Sequence, residues 1–128
     1  MDERRMNMSR KMIAGSAIYF VLGALMGMGM SISEDYTLSP VHAHINLLGW
    51  VSMALGGIVY HLFPNAAASK LGKWHFWLHM IGIPIMMAGL AAMLLTGDKA
   101  MIPIVSVGSV MVVAGVILFM INAFKHVR

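Results

Sequence analysis

Four long apolar runs separated by short polar breaks make up almost the whole chain. They cover residues 12–31, 41–63, 74–95 and 101–124. Each holds about the 20 residues that a helix needs to cross the hydrocarbon core of a bilayer. The breaks are too short for any further unit. The pattern therefore predicts an all-α integral membrane four-helix bundle, a single transmembrane domain over residues 1–128. Ser39 and Pro40 stand before the second run as its expected N-cap and first helical residue. The break at 65–72 is short and rich in small residues, which predicts a tight antiparallel pair of the second and third helices. Pro84 frees the carbonyl of Met80 and so predicts a kink in the third. Gly23 and Gly27 form a small-x-x-x-small face on the first, suited to close helix packing. The last run holds no histidine or acid and reads as packing scaffold.

Charge adds an orientation. Arg4, Arg5, Arg10 and Lys11 precede the first helix, Lys70 and Lys73 lie in the second break, and Lys125 and Arg128 follow the last helix. The other two breaks hold Glu34 and Asp35, then Asp98 and Lys99. By the positive-inside rule both termini are expected in the cytoplasm, in a multi-pass protein of the cell inner membrane. The formal charge of +4 is thus a topology signal and points to no nucleic acid. With 59% hydrophobic and 11% charged residues, the chain is expected to have the lipid bilayer as its surroundings. The first run is longer than a signal-peptide core, and residues 31–39 show no small-x-small cleavage pattern, so it reads as a retained helix. The absence of cysteine excludes disulfides, thiolate zinc sites, iron–sulfur clusters and covalently attached c-type haem.

The candidate chemistry sits at the start of the second run. His42 and His44 fall in its opening turns, with Asn46 and Trp50 following. Ionisable groups inside a membrane segment are costly, so a pair of them asks for a purpose. Residues i and i+2 of a helix lie roughly 200° apart, which sends these two imidazoles to opposite sides. That is poor for holding one ion and suits one imidazole for each of two sites. His42-Ala43-His44, Gly49-Trp50, Gly56-Gly57 and Tyr60-His61-Leu62-Phe63-Pro64 follow one another in an ordered frame. The frame resembles a helix of the catalytic subunit (subunit I) of haem-copper oxidases, most closely the cbb-type cytochrome c oxidase and nitric oxide reductase branch. His75-Phe76-Trp77-Leu78 and Ile81-Gly82 resemble the helix that follows it there. The likeness covers roughly residues 40–83. It implies that His42 would ligate a high-spin haem and His44 a low-spin, electron-transferring haem, so that the cofactor would be haem b.

The remaining residues are read against that implication. His75 and His79 share a helix face at i, i+4 spacing, and antiparallel pairing places His79 level with Gly56. Twelve residues of helical rise would then separate it from His44 by roughly 18 Å, too far to share one iron. His79 is either a ligand elsewhere or a buried histidine bonded to a neighbouring helix. Tyr60, His61, His75 and the nearby tryptophans read as interfacial anchors. For the second axial ligand three possibilities stand: Met26 or Met28 of the first helix, a histidine from another copy in a homo-oligomer, or an open place for a gas such as O2 or NO. The family's second-metal ligands and an intramembrane proton path are missing, so oxygen or nitric oxide reduction is not expected of this chain alone. The expectation is a small b-type cytochrome serving electron transfer or gas binding, with its redox partner unspecified. A copper-handling protein using His42, His44 and the Met26, Met28, Met30 run is the alternative, since thioethers suit Cu(I). A cofactor-free assembly or partner subunit is a third.

Overall fold

Small residues decide how closely these helices approach. The computed structural model describes residues 3–128; Met1, Asp2 and the side chain of Arg5, part of the expected basic flank, lie outside the described residues. Four helices are long and apolar enough to cross a membrane. They are α1 (Glu3–Ser33), α2 (Ser39–Leu62), α4 (Lys70–Thr96) and α5 (Ile102–His126). A short helix, α3 (Pro64–Ala68), links α2 to α4, and a 3-10 turn (Lys99–Met101) precedes α5. Among the described residues there is no strand.

Helices α1 and α2 run antiparallel in close contact. A Cβ at Gly49 would come within 2.6 Å of the Tyr19 ring, and one at Gly56 within 2.8 Å of the Met12 methyl. The Ser9 hydroxyl donates to the Gly57 carbonyl at 2.8 Å and locks the far end of the pair. The α4–α5 pair repeats the device. Gly82 faces Met111 and Val112, Gly89 faces Ile104 and Val105, and Gly108 lies against the backbone of Met86. With hydrocarbon outside, close packing replaces the hydrophobic effect as the force between helices. Two buried clusters fill the interior. One joins Val41, Ile45, Met53, Ile83, Met86, Met87 and Val112. The other joins Met12, Tyr60, Ala66, Ala67 and Phe76. Leu22, Leu25, Val110, Val113 and Phe124 are exposed on the outer faces, as suits lipid.

Several boundaries differ from the sequence expectation. Helix α1 extends through the basic flank, because nothing in Arg4–Lys11 breaks it. The break at 65–72 is mostly helical: α3 occupies its first half, and Ser69 caps α4 by accepting from the Gly72 N–H at 3.0 Å. Ser39 is not a cap. Helix α2 begins at Ser39 itself, after Leu38, and the Ser39 hydroxyl turns to the Met30 sulfur at 3.9 Å. Helix α4 continues through Pro84 and stops at Gly97, whose φ of 70° is the left-handed conformation that ends helices.

Helix α5 is more than scaffold. Asn122 is fully buried, donates to the Ala66 carbonyl at 3.0 Å and accepts from the Ser69 hydroxyl at 3.0 Å. His126 meets the same amide oxygen at 2.7 Å. This knot ties α3 and the start of α4 to α5. Together with the Ser9–Gly57 bond it places the start of α1 and the end of α5 at one end of the bundle, with Lys70 and Lys73. His42 and His44 lie towards the other.

Candidate functional site

The two histidines at the head of α2 are held in opposite ways. His42 turns inward. Its ring lies on Gly27 of α1, where a Cβ would approach Cε1 to 2.9 Å. The Asn46 amide, lodged against Gly23, donates to its Nε2 at 3.3 Å. Its Nδ1 is buried without a partner among the described residues. The small-residue face of α1 is therefore a cradle for two polar side chains of α2.

His44 turns outward and is exposed. Its Nδ1 lies 2.6 Å from the carbonyl of Pro40, one turn earlier, and must donate there because a carbonyl only accepts. The proton is thereby fixed on Nδ1, and Nε2 carries its lone pair towards the outside. A backbone acceptor that fixes tautomer and ring orientation is the usual support of a metal-ligating imidazole. Of the pair, His44 is open and His42 is covered.

His79 is placed differently from the expectation. It is 1% exposed, and its Nε2 donates to the Leu48 carbonyl at 2.8 Å. Leu48 lies in the stretch Ile45–Val51, where α2 widens to π-type winding. Such winding displaces carbonyls from the ordinary ladder, and the Ser52 hydroxyl takes another of them, that of Leu47, at 2.7 Å. His75, rather than His79, is level with Gly56. The register is shifted because α3 takes up chain in the connection, which the sequence reading treated as a plain loop. Four residues separate His44 from Leu48, so the depth gap is roughly 6 Å rather than 18 Å. Facing keeps His44 and His79 apart: one looks out, the other is enclosed.

Tyr60 and His75 are not interfacial anchors. Both are buried, and the Tyr60 hydroxyl and His75 Nδ1 share a 2.6 Å hydrogen bond. The His75 and His79 rings meet edge to face at 5.3 Å, with Phe119 of α5 beside His75 at 4.9 Å. Polar groups inside a membrane bundle must satisfy each other, and a Tyr and a His in register do so. Trp74 and Trp77 do remain exposed near this end. What the sequence reading lacked here was the register of α2 against α4.

The methionines of the 26–30 run occupy three settings. Met26 packs against the core, Met28 is 57% exposed on α1, and Met30 is buried beneath the Ser39 hydroxyl. His42 faces α1, which carries them, and His44 faces away. Among the described residues no three of His, Cys, Asp and Glu gather to hold a metal ion. A groove of about 280 Å³ lies beside Met26 and Met30 and includes Asp35 and Thr37. The Thr37 hydroxyl and N–H both donate to Asp35, at 2.6 and 3.0 Å, and hold its carboxyl below the usual range.

Comparison with known proteins gives the relationship. Cytochrome c oxidase subunit 1 of Rhodobacter capsulatus is 32% identical to this chain over 64% of its length. A bacteroid homologue from Bradyrhizobium diazoefficiens is 31% identical over 64%, and a homologue from Agrobacterium tumefaciens 28% over 66%. The chain is similar to a part of cytochrome c oxidase subunit 1. It spans 18%, 17% and 18% of the length of these three proteins. No family model matches the chain, and no solved structure matches it. The oxidase resemblance first read from the H-x-H frame is borne out by these relatives.

Proposed function

We propose that this chain is a small b-type cytochrome that holds haem b through Nε2 of His44, on the outer face of α2. One observation carries the reading: the Nδ1–Pro40 bond leaves His44 with a fixed tautomer and an open ligating nitrogen. Relationship to an oxidase subunit supports haem as the group that would use it. Bound there, haem would supply a one-electron iron couple, or a gas-binding iron if one axial place stays open. The protein's own part is to aim and steady one imidazole at a defined depth. His42 does not share that task. A second haem on it would require α1 to leave the Gly27 contact.

The second axial ligand, where there is one, comes from outside the chain. His79 is enclosed with its Nε2 committed, and Met28 sits on α1 while His44 faces away from it. A second copy inserted in parallel would bring its own His44 to the same depth, which favours a homo-oligomer. By the distribution of Lys and Arg, the basic end faces the cytoplasm and His44 lies towards the other surface of the inner membrane.

The test is an oxidised and reduced absorption spectrum in mild detergent, with haem supplied during expression. His44→Ala is expected to lose the haem bands, and His42→Ala and His79→Ala to keep them. A sharp reduced band in the parent protein indicates two axial ligands. A broad band that shifts with carbon monoxide indicates an open place. Absence of a Soret band in the parent protein overturns the proposal.

A further inference from the structure

The haem reading leaves two enclosed imidazoles without a task. His75 and His79 lie one helical turn apart on α4 and are 3% and 1% exposed. His79 donates from Nε2 to the Leu48 carbonyl, so its proton is fixed there and Nδ1 carries a bare lone pair. That nitrogen is buried without a partner among the described residues. A lone pair sealed in an apolar interior and left unmatched is costly. His75 has the opposite arrangement: its Nδ1 is engaged with the Tyr60 hydroxyl, and Nε2 is the nitrogen left over.

Two distances bring donors together. The ring centroids of His75 and His79 are 5.3 Å apart. Two imidazoles bound to one metal at about 2 Å hold their centroids roughly 5 to 6 Å apart. Gly56 of α2 then makes room beside His75 by having no side chain. The point where its Cβ would stand is 3.5 Å from His75 Cε1 and 3.8 Å from the sulfur of Met12, a residue that is 0% exposed. A thioether of α1 therefore stands beside the imidazole pair of α4. The donor set also selects the ion. All three donors are neutral, and among the described residues no carboxylate joins the two histidines. The cost of taking an ion out of water rises steeply with its charge, so an uncharged site in an apolar interior favours a monovalent ion. Thioether sulfur is a soft ligand that suits Cu(I).

We propose that His79 Nδ1, His75 Nε2 and the Met12 sulfur form a three-coordinate Cu(I) site inside the bundle. Tyr60 supports it. With the ion on Nε2, the Nδ1–H of His75 donates to the phenol oxygen, as the second nitrogen of a ligating histidine commonly does to its support. The site is independent of the haem reading and of copper at the outer end, since it uses none of His42, His44, Met26, Met28 and Met30.

The test uses the full chain, expressed without added haem and purified in mild detergent. It is brought to equilibrium without oxygen with Cu(I) and bicinchoninate, a coloured chelator that competes for the ion. One Cu(I) per chain is expected to leave the chelator. Met12→Leu keeps the side-chain volume and removes the sulfur. His79→Gln keeps a donor for the Leu48 carbonyl and removes the ring. Each should weaken retention by at least about tenfold, the effect that loss of a supporting partner alone can reach. Met28→Leu, on the exposed face of α1, should leave it unchanged. X-ray absorption at the copper edge should show two nitrogen neighbours and one sulfur, a readout that needs no variant to fold. Failure of the parent protein to take Cu(I) from the chelator overturns the proposal, as does unchanged retention in Met12→Leu. A copper spectrum with no sulfur neighbour overturns it too. So does loss of retention in Met28→Leu, which would put the ion at the outer end.

Discussion

At the scale of single residues, the outer end of the protein depends on what has no side chain. Gly27 carries the ring of His42 and Gly23 carries Asn46, so two half-buried polar groups are accommodated by omission of two methyl groups. Gly27→Ala would drive a Cβ to 2.9 Å from an imidazole held by its own helix and by Asn46. Overpacking of this kind costs about 1–3 kcal/mol, so Gly27→Ala should melt measurably earlier than the parent protein in the same detergent. An unchanged melting profile would mean that α1 does not press on His42. The opposed directions of His42 and His44 were legible from their spacing alone. Which of them faces the interior was not, because that depends on where α1 lies. Tyr60 and His75 were misread for the same reason. A helix that is apolar all round gives no stripe from which to choose its inner face.

At the scale of elements, the wide turn at Ile45–Val51 separates two parts of α2 that ordinary winding would keep in one register. The part after it is fixed by Gly56 and Gly57 against α1 and by Tyr60 against α4. The part before it carries the two histidines. Deleting Leu47, an exposed residue of the wide turn, should restore tighter winding and rotate the histidines by about 100° against the rest. The expected outcome is a folded protein, by circular dichroism, in which the proposed haem bands are lost. Retained bands would show that the direction of His44 is not set by this turn. Four runs of the right length were plain in the sequence, because apolar length is a strong signal. The π winding and α3 were not, since each alters a few residues without changing the apolar pattern around them. Asn122 gave a fainter signal: an amide within an apolar span needs a partner, and the short connection after α2 supplies one.

At the scale of the whole molecule, the two ends of the bundle differ in chemistry. One gathers the start of α1, the end of α5, a groove lined by Lys11 and Lys73, and the Asn122 knot; the other gathers the histidine pair and the Asp35 turn. The proposed orientation can be checked directly, because the chain has no cysteine of its own. Tyr36→Cys and Lys125→Cys, made separately, should react with an impermeant maleimide on opposite sides of the membrane. Tyr36→Cys should be labelled in intact cells and Lys125→Cys only after the membrane is opened. The reverse pattern would place the histidines in the cytoplasmic half. That the Lys and Arg distribution bears on this at all reflects how little chain lies between the spans.

The knot at Asn122 has a consequence for the order in which the molecule can be made. The Ala66 carbonyl and the Ser69 hydroxyl belong to the middle of the chain, and the amide that completes them belongs to the last helix. During synthesis the Ser69 hydroxyl has only the Ala66 carbonyl, at 2.7 Å, to donate to, and the joint between α3 and α4 stays unattached to the last helix until α5 arrives. The α1–α2 hairpin, closed by Ser9 and its glycine contacts, is complete before that moment. Assembly is therefore staged, with the final helix acting as the bolt that secures the second hairpin to a first one already in place.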